Sequence, residues 1–151
     1  MEEMIRRYLC DRYDTEHRLL PAPGDARRYQ VLQWVHAAEG TFMLHALAIL
    51  YARWQQKDGD VARTEAGLKG NVERDFDWLE GELGRQPGRF LVGDAVTAAD
   101  VMMEFSVDFI LTRKLGVHAT GDRWRKIGEY VAACQGNERW KAAQRKTGHS
   151  L

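Results

Sequence analysis

Apolar residues recur along this chain at steps of three and four almost from end to end, and the places where that rhythm breaks divide it into helices. Met4, Ile5, Tyr8 and Leu9 open the series, with Glu2 and Glu3 before them and Arg6, Arg7 and Arg12 after, an order of charge that suits a helix dipole. Leu20-Pro21-Ala22-Pro23-Gly24 ends this helix, because proline donates no backbone hydrogen bond and pushes the residue before it out of helical geometry. Asp25 stands as the next N-cap, and no proline intervenes from Ala26 to about Lys57. About thirty residues at about 1.5 Å each predict one helix on the order of 45 Å long. Gly40 divides its apolar patches, Val31 to Val35 and Phe42 to Tyr51, and marks either a bend or the close approach of another backbone.

Asp58-Gly59-Asp60 ends that helix, and the next runs from about Val61 to Leu83 with Leu68, Val72, Phe76, Leu79 and Leu83 on one face and Gly84 as its stop. Arg63, Lys69, Arg74 and Asp77 on its other side read as solvated charge. A turn and a short extended piece follow over Gln86 to Asp94. The helix from about Ala98 to Leu115, stopped by Gly116, is apolar nearly all round through Val101, Met102, Met103, Phe105, Val107, Phe109, Ile110 and Leu111, which predicts a buried central helix. Shorter helices follow around Trp124 to Cys134 and Glu138 to Lys146, ended by Gly136 and Gly148. With no alternating run long enough for a proper strand, the fold class is all-α.

The start of the central helix carries a capping box: Thr97 can accept from the amide of Asp100 while the Asp100 carboxylate reaches back to the amide of Thr97. Val96 and Val101 flank it as the hydrophobic staple. This pattern fixes how a loop enters a helix and catalyses nothing.

Composition narrows the chemistry. The 22 Lys and Arg balance 22 Asp and Glu, leaving no field for a polyanion, so neither nucleic acid nor an acidic membrane is expected as a partner. The densest apolar stretch, Thr41 to Ala52, is too short to span a bilayer, and the first ten residues are too charged for a secretory signal. Cys10 and Cys134 form no Cys-x-x-Cys pair, and His17, His36, His45, His118 and His149 show no ligand spacing, so no metal site is expected and a cytoplasmic location fits. Asp100, Glu104 and Asp108 share a face at steps of four, but the capping role already accounts for Asp100.

The stretch Phe90-Leu91-Val92-Gly93-Asp94-Ala95-Val96-Thr97-Ala98-Ala99-Asp100-Val101 resembles the Leu-x-Gly-Asp-x-x-Thr-x-Ala-Asp segment that opens the central helix of glutathione transferase C-terminal domains. Met4 to Asp14 is similar to the last helix of the thioredoxin-like domain that precedes it in that family, and Leu20-Pro21 to the interdomain linker. Tyr29 to Leu44, with Trp34, His36, Glu39 and Gly40, resembles the first bundle helix of a fungal and bacterial branch, and Arg139 to Gly148 its closing helix, with Glu138 where the family usually has proline.

The resemblance implies residues 1–19 as the end of a thioredoxin-like domain, 20–24 as linker and 25–151 as the helical domain. It implies a homodimer and glutathione as co-substrate of the full-length protein, with no cofactor in this chain itself. The wall of the site for an apolar electrophile then falls on Gln33, His36 and Gly40, with Met103 from the central helix, and Trp34 goes to packing or a subunit contact. Ionising the glutathione thiol, whose pKa lies near 8.5, needs a donor that the family keeps in the thioredoxin-like domain. Tyr8, Cys10 and Tyr13 lie on the wrong element to replace it, so no catalytic residue is assigned and the chain alone is expected to be inactive. The alternative is a non-catalytic module of the same fold, used for protein assembly or for docking a thioredoxin-like partner.

Overall fold

The computed structural model describes residues 2–148, so His149 lies outside it. It contains α1 (Glu2–Tyr13), α2 (Arg27–Ala37), α3 (Leu44–Gln55), α4 (Val61–Arg85), α5 (Ala98–Arg113), α6 (Arg125–Gln135) and α7 (Glu138–Thr147). Among the described residues the only extended pairing is a single bridge between Phe90 and Gly93, so the class is all-α as expected.

The linker after α1 is tied down. The Asp14 carboxylate accepts from the amides of Arg18, Leu19 and Leu20 at 2.9, 2.7 and 2.9 Å. Burial works against the Asp14 charge, but the three amides prevail and lower its pKa. The Leu19 carbonyl then accepts from the amide of Ala98 at 2.9 Å, which fastens the linker to the start of α5.

The predicted long helix is continuous but not uniform. A wide π-helical turn over Ala38–Met43 joins α2 to α3, with Gly40 inside it. A Cβ at Gly40 would meet no other atom, so within this chain the glycine serves the change of winding and not a close backbone approach. One face stays buried across that turn, through Val31, Trp34, Ala38, Phe42, Ala46 and Ile49. The helix starts at Arg27, with Ala26 already in helical geometry. Asp25 nonetheless accepts from the Arg27 amide at 2.9 Å and pairs with its guanidinium.

Against this face packs α4. Trp34 stacks on Trp78 at 4.6 Å between ring centroids, and Phe76 meets Phe42 at 6.3 Å and Trp124 at 5.4 Å. Asp60 caps α4 by accepting from the Arg63 amide. Gly84 does not stop the helix, which runs on to Arg85; the break comes from Pro87, ahead of which Gln86 is extended. Nor is Asp77 merely solvated. It accepts from the Arg123 guanidinium and from the Trp124 indole at 2.8 Å.

One turn further along α4, the Glu80 carboxylate accepts from the amides of Lys126 and Ile127 at 2.9 and 3.0 Å. Those are N-terminal amides of α6, whose own N-cap position, Trp124, offers no side-chain acceptor. Glu80 therefore caps α6 from another helix.

Helix α5 crosses the middle. Met102, Met103, Val107 and Ile110 are fully buried, but the expectation of an apolar surface nearly all round is corrected: Val101 is 44% exposed, while Asp100, Glu104 and Ser106 are buried. The polar residues are accommodated because each bonds across to a neighbour. Ser106 Oγ donates to the Ala38 carbonyl of the π turn at 3.3 Å, and Tyr130 OH lies 3.4 Å from the Asp100 carbonyl. At its far end α5 stops earlier than expected, with Lys114 in the left-handed region at φ 53°, and the Arg53 guanidinium caps it by donating to the carbonyls of Arg113 and Lys114. Gly116 has a separate role. At φ 78° it lets the chain pass within reach of α4, where a Cβ would lie 3.2 Å from the Lys69 backbone.

Helix α7 buries no residue of its own. Asn137 caps it, and its Trp140 lines a groove together with Glu104 of α5.

Two outcomes follow from these polar ties. Replacing Glu80 by Ala orphans the two α6 amides and should destabilise the domain by about 1 to 2 kcal/mol, read as a lowered Tm by circular dichroism. For Glu104, burial, with Asp108 nearby, raises the pKa above its ordinary 4.5 in spite of the Gln135 and Trp140 hydrogen bonds. The fold thus holds this proton more tightly than the unfolded chain, and stability is lost as pH rises through the folded value. Denaturant titrations should show Glu104→Gln gaining on the natural protein from pH 4.5 upward; a constant offset would contradict this.

Candidate functional site

Gln33, His36 and Gly40 lie together on the outward side of α2 and the π turn, in a stripe of exposed positions running from Tyr29 through Leu44, Ala48 and Tyr51. Tyr51 is joined there by Trp54, ring to ring at 6.1 Å. Met103 does not share this surface. Its exposure is zero, and it belongs to the core that α5 forms with the inner side of the same helix. Trp34 is likewise packed inside, against Trp78.

The capping box forms at Thr97 and Asp100, and its carboxylate half is the better made. Asp100 Oδ2 accepts from the Thr97 amide at 2.7 Å and from its hydroxyl at 2.9 Å, while Oδ1 accepts from the Leu91 amide at 2.9 Å. Burial outweighs these donors and raises the Asp100 pKa. Val96 packs on the core, whereas Val101 turns outward beside a groove.

That groove, of about 1390 Å³, runs between α5 and α7 and reaches Arg6 of α1. Val101, Phe105 and Thr112 line it from α5, and Trp140, Ala143 and Thr147 from α7. In its wall Gln135 Nε2 donates to both Glu104 and Asp108, at 3.1 and 3.3 Å. The three acids spaced by four thus part company: Asp100 is consumed by the cap, and the other two share one neutral amide. Gln135 carried no sequence signal for this, since its two bonds span 31 and 27 residues. A smaller recess of about 390 Å³ lies beside it, under Leu9, Cys10, Tyr13 and Arg139.

Neither cysteine is primed as a nucleophile. Burial raises the Cys10 pKa, and burial together with the Asp100 charge pushes Cys134 up to about 12. Tyr130, in contact with Cys134, is raised well above its ordinary value by burial. Between α3 and α4, His45 Nδ1 lies 2.7 Å from the buried Asp75 carboxylate, whose pKa desolvation raises. The 30 residues between them left this pair invisible as a spacing. Among the described residues no three metal-binding side chains gather, and no helix is long and apolar enough to cross a membrane.

Solved structures share this architecture. A glutathione S-transferase of Actinobacillus pleuropneumoniae superposes with a TM-score of 0.78 at 24% identity, over 100% of this chain and 65% of its own. A glutathione transferase of Phanerochaete chrysosporium in complex with oxidized glutathione gives 0.81 at 18%, over 97% and 65%. A glutathione transferase homolog of Lodderomyces elongisporus with two GSH per subunit gives 0.77 at 20%, over 93% and 64%. At such identities the likeness establishes the fold, and this chain spans about 65% of the length of the first of these relatives. No curated protein matches it. Residues 33–133 match the family described as Glutathione S-transferase, C-terminal domain, and the chain therefore belongs to that family.

Proposed function

We propose that this chain supplies the helical half of a glutathione transferase, in which the stripe of Gln33, His36 and Gly40, backed by Met103 from α5, walls the site for an apolar electrophile. Ionising and aiming the glutathione thiol is then the work of a thioredoxin-like domain. The domain division follows the same reading, with residues 1–19 closing the thioredoxin-like part, 20–24 linking and 25–151 forming the helical domain. A cytoplasmic homodimer is the matching assembly.

The outward face of α1 carries this reading. Met4 is 74% exposed and Tyr8 61%, with Ile5 and Leu9 beside them, an apolar row of the kind that packs on another domain. Interdomain faces bury roughly 600 to 1,500 Å², enough to drive association when open. The protonated thiols of Cys10 and Cys134 agree with it, since neither offers a substitute nucleophile.

The reading is tested on the purified chain. With glutathione and a chromogenic aryl halide it should conjugate no faster than buffer, while binding a hydrophobic dye and scattering light as a dimer or larger. Turnover well above buffer would overturn the assignment of the chemistry to another domain. A monodisperse monomer that ignores the dye would overturn the open-face argument.

A further inference from the structure

Ser106 has no exposure and lies on the side of α5 that meets the π turn, one helical turn after Met103. Its neighbours on that side, Met103 and Ile110, are apolar and fully buried, so a hydroxyl there is costly unless it is hydrogen-bonded. The one proton has two carbonyls within reach: Met102 of its own helix at 3.2 Å, and Ala38, the first residue of the π turn, at 3.3 Å. Met102 already receives the Ser106 amide in the α5 ladder, and alanine would suit that helix better. The bond to Ala38 is what the hydroxyl adds.

That bond falls where the winding of the long helix changes, and a side chain that enters the carbonyl ladder is one of the few physical causes of such a change. A π turn holds about one residue more than an α turn, and along a continuous helix this surplus can lie at different points. Each residue that it passes swings round by about 100°. His36 stands just before the turn and Gly40 inside it, so the place of the turn decides which way both face. Among the described residues, no side chain of the helix itself caps either end of the turn. Gly40 weakens the winding locally, but a Cβ there would meet nothing, so no contact at Gly40 holds the turn in place.

We propose that Ser106 is a positioning residue for the electrophile wall: its hydroxyl pins the π turn at Ala38–Met43 and so holds His36 and Gly40 outward beside Gln33. These three serve as that wall only on the function proposed above, whereas the pin is a property of the fold.

The test compares the full chain, isotope-labelled for NMR, with Ser106→Ala, which removes a single buried oxygen, its fold checked by circular dichroism. In the variant the carbonyl carbon of Ala38 should shift further than that of Met102. Amide exchange should quicken about fivefold or more at Leu44, which bonds back to Glu39 across the π winding, and stay unchanged at Ile110. Meta-dinitrobenzene, an apolar aryl probe with no leaving halide, should move the Gly40 amide of the natural protein at millimolar concentration and do so about threefold more weakly in the variant. A probe that leaves Gly40 unmoved in the natural protein overturns the electrophile reading, and the assignment of Ser106 to that wall falls with it, whatever the turn does. The pin itself is overturned by an unchanged turn in Ser106→Ala, by a larger shift at Met102 than at Ala38, or by exchange that quickens evenly through α5. Equal probe binding to the two proteins, with the turn loosened, sinks the positioning role alone.

Discussion

Asp100 sits where three separate stretches of chain converge, and its carboxylate is the acceptor for two of them. Leu91 from the preceding loop donates to one oxygen, and Thr97 from the helix start donates twice to the other. The third stretch, the linker, joins at the first residue of α5, where Ala98 donates to the Leu19 carbonyl. A buried charge would ordinarily be a burden, and its raised pKa records that cost. Here the donors it satisfies are buried backbone groups that would otherwise be orphaned, so the carboxylate fixes the direction in which α5 enters the core. Two neighbours are tied directly to α5: the π turn through Ser106 and α6 through Tyr130.

A helix held this way divides the molecule into two working surfaces. On one side it backs the outward stripe of α2, where Gln33, His36 and Gly40 are presented without core duties of their own. On the other it forms the floor of the groove below α7, a helix that buries no residue of its own. Both surfaces depend on the same core, so they can be altered separately only by residues pointing away from it.

The sequence made some of this legible for physical reasons. Capping and periodicity are local, so the Thr97 to Asp100 box, the buried run of α5, the disturbance at Gly40 and the short last helices could all be read from neighbours within four residues. Helix ends were misjudged where the stop came from elsewhere: Pro87 and not Gly84 ended α4, and Arg53, from a different helix, closed α5 before Gly116 was reached. The long-range polar ties were out of reach altogether. Glu80 capping α6, Asp77 holding Trp124, and Gln135 bridging two acids each join residues that no spacing rule connects. The site suffers the same limit. A stripe such as Gln33, His36 and Gly40 follows from helical geometry, but a groove between two helices exists only once both are packed.

The dependence of the architecture on Asp100 is open to direct measurement by equilibrium unfolding of Asp100→Asn. The amide keeps the shape but must turn its NH₂ toward a donor, either Leu91 or Thr97, and orphan it. A loss of about 2 to 4 kcal/mol is predicted, with hydrogen-exchange protection falling together at the amides of Leu91, Thr97 and Ala98. Unchanged stability, or loss of protection confined to Leu91, would contradict the claim that one carboxylate locks loop, linker and central helix.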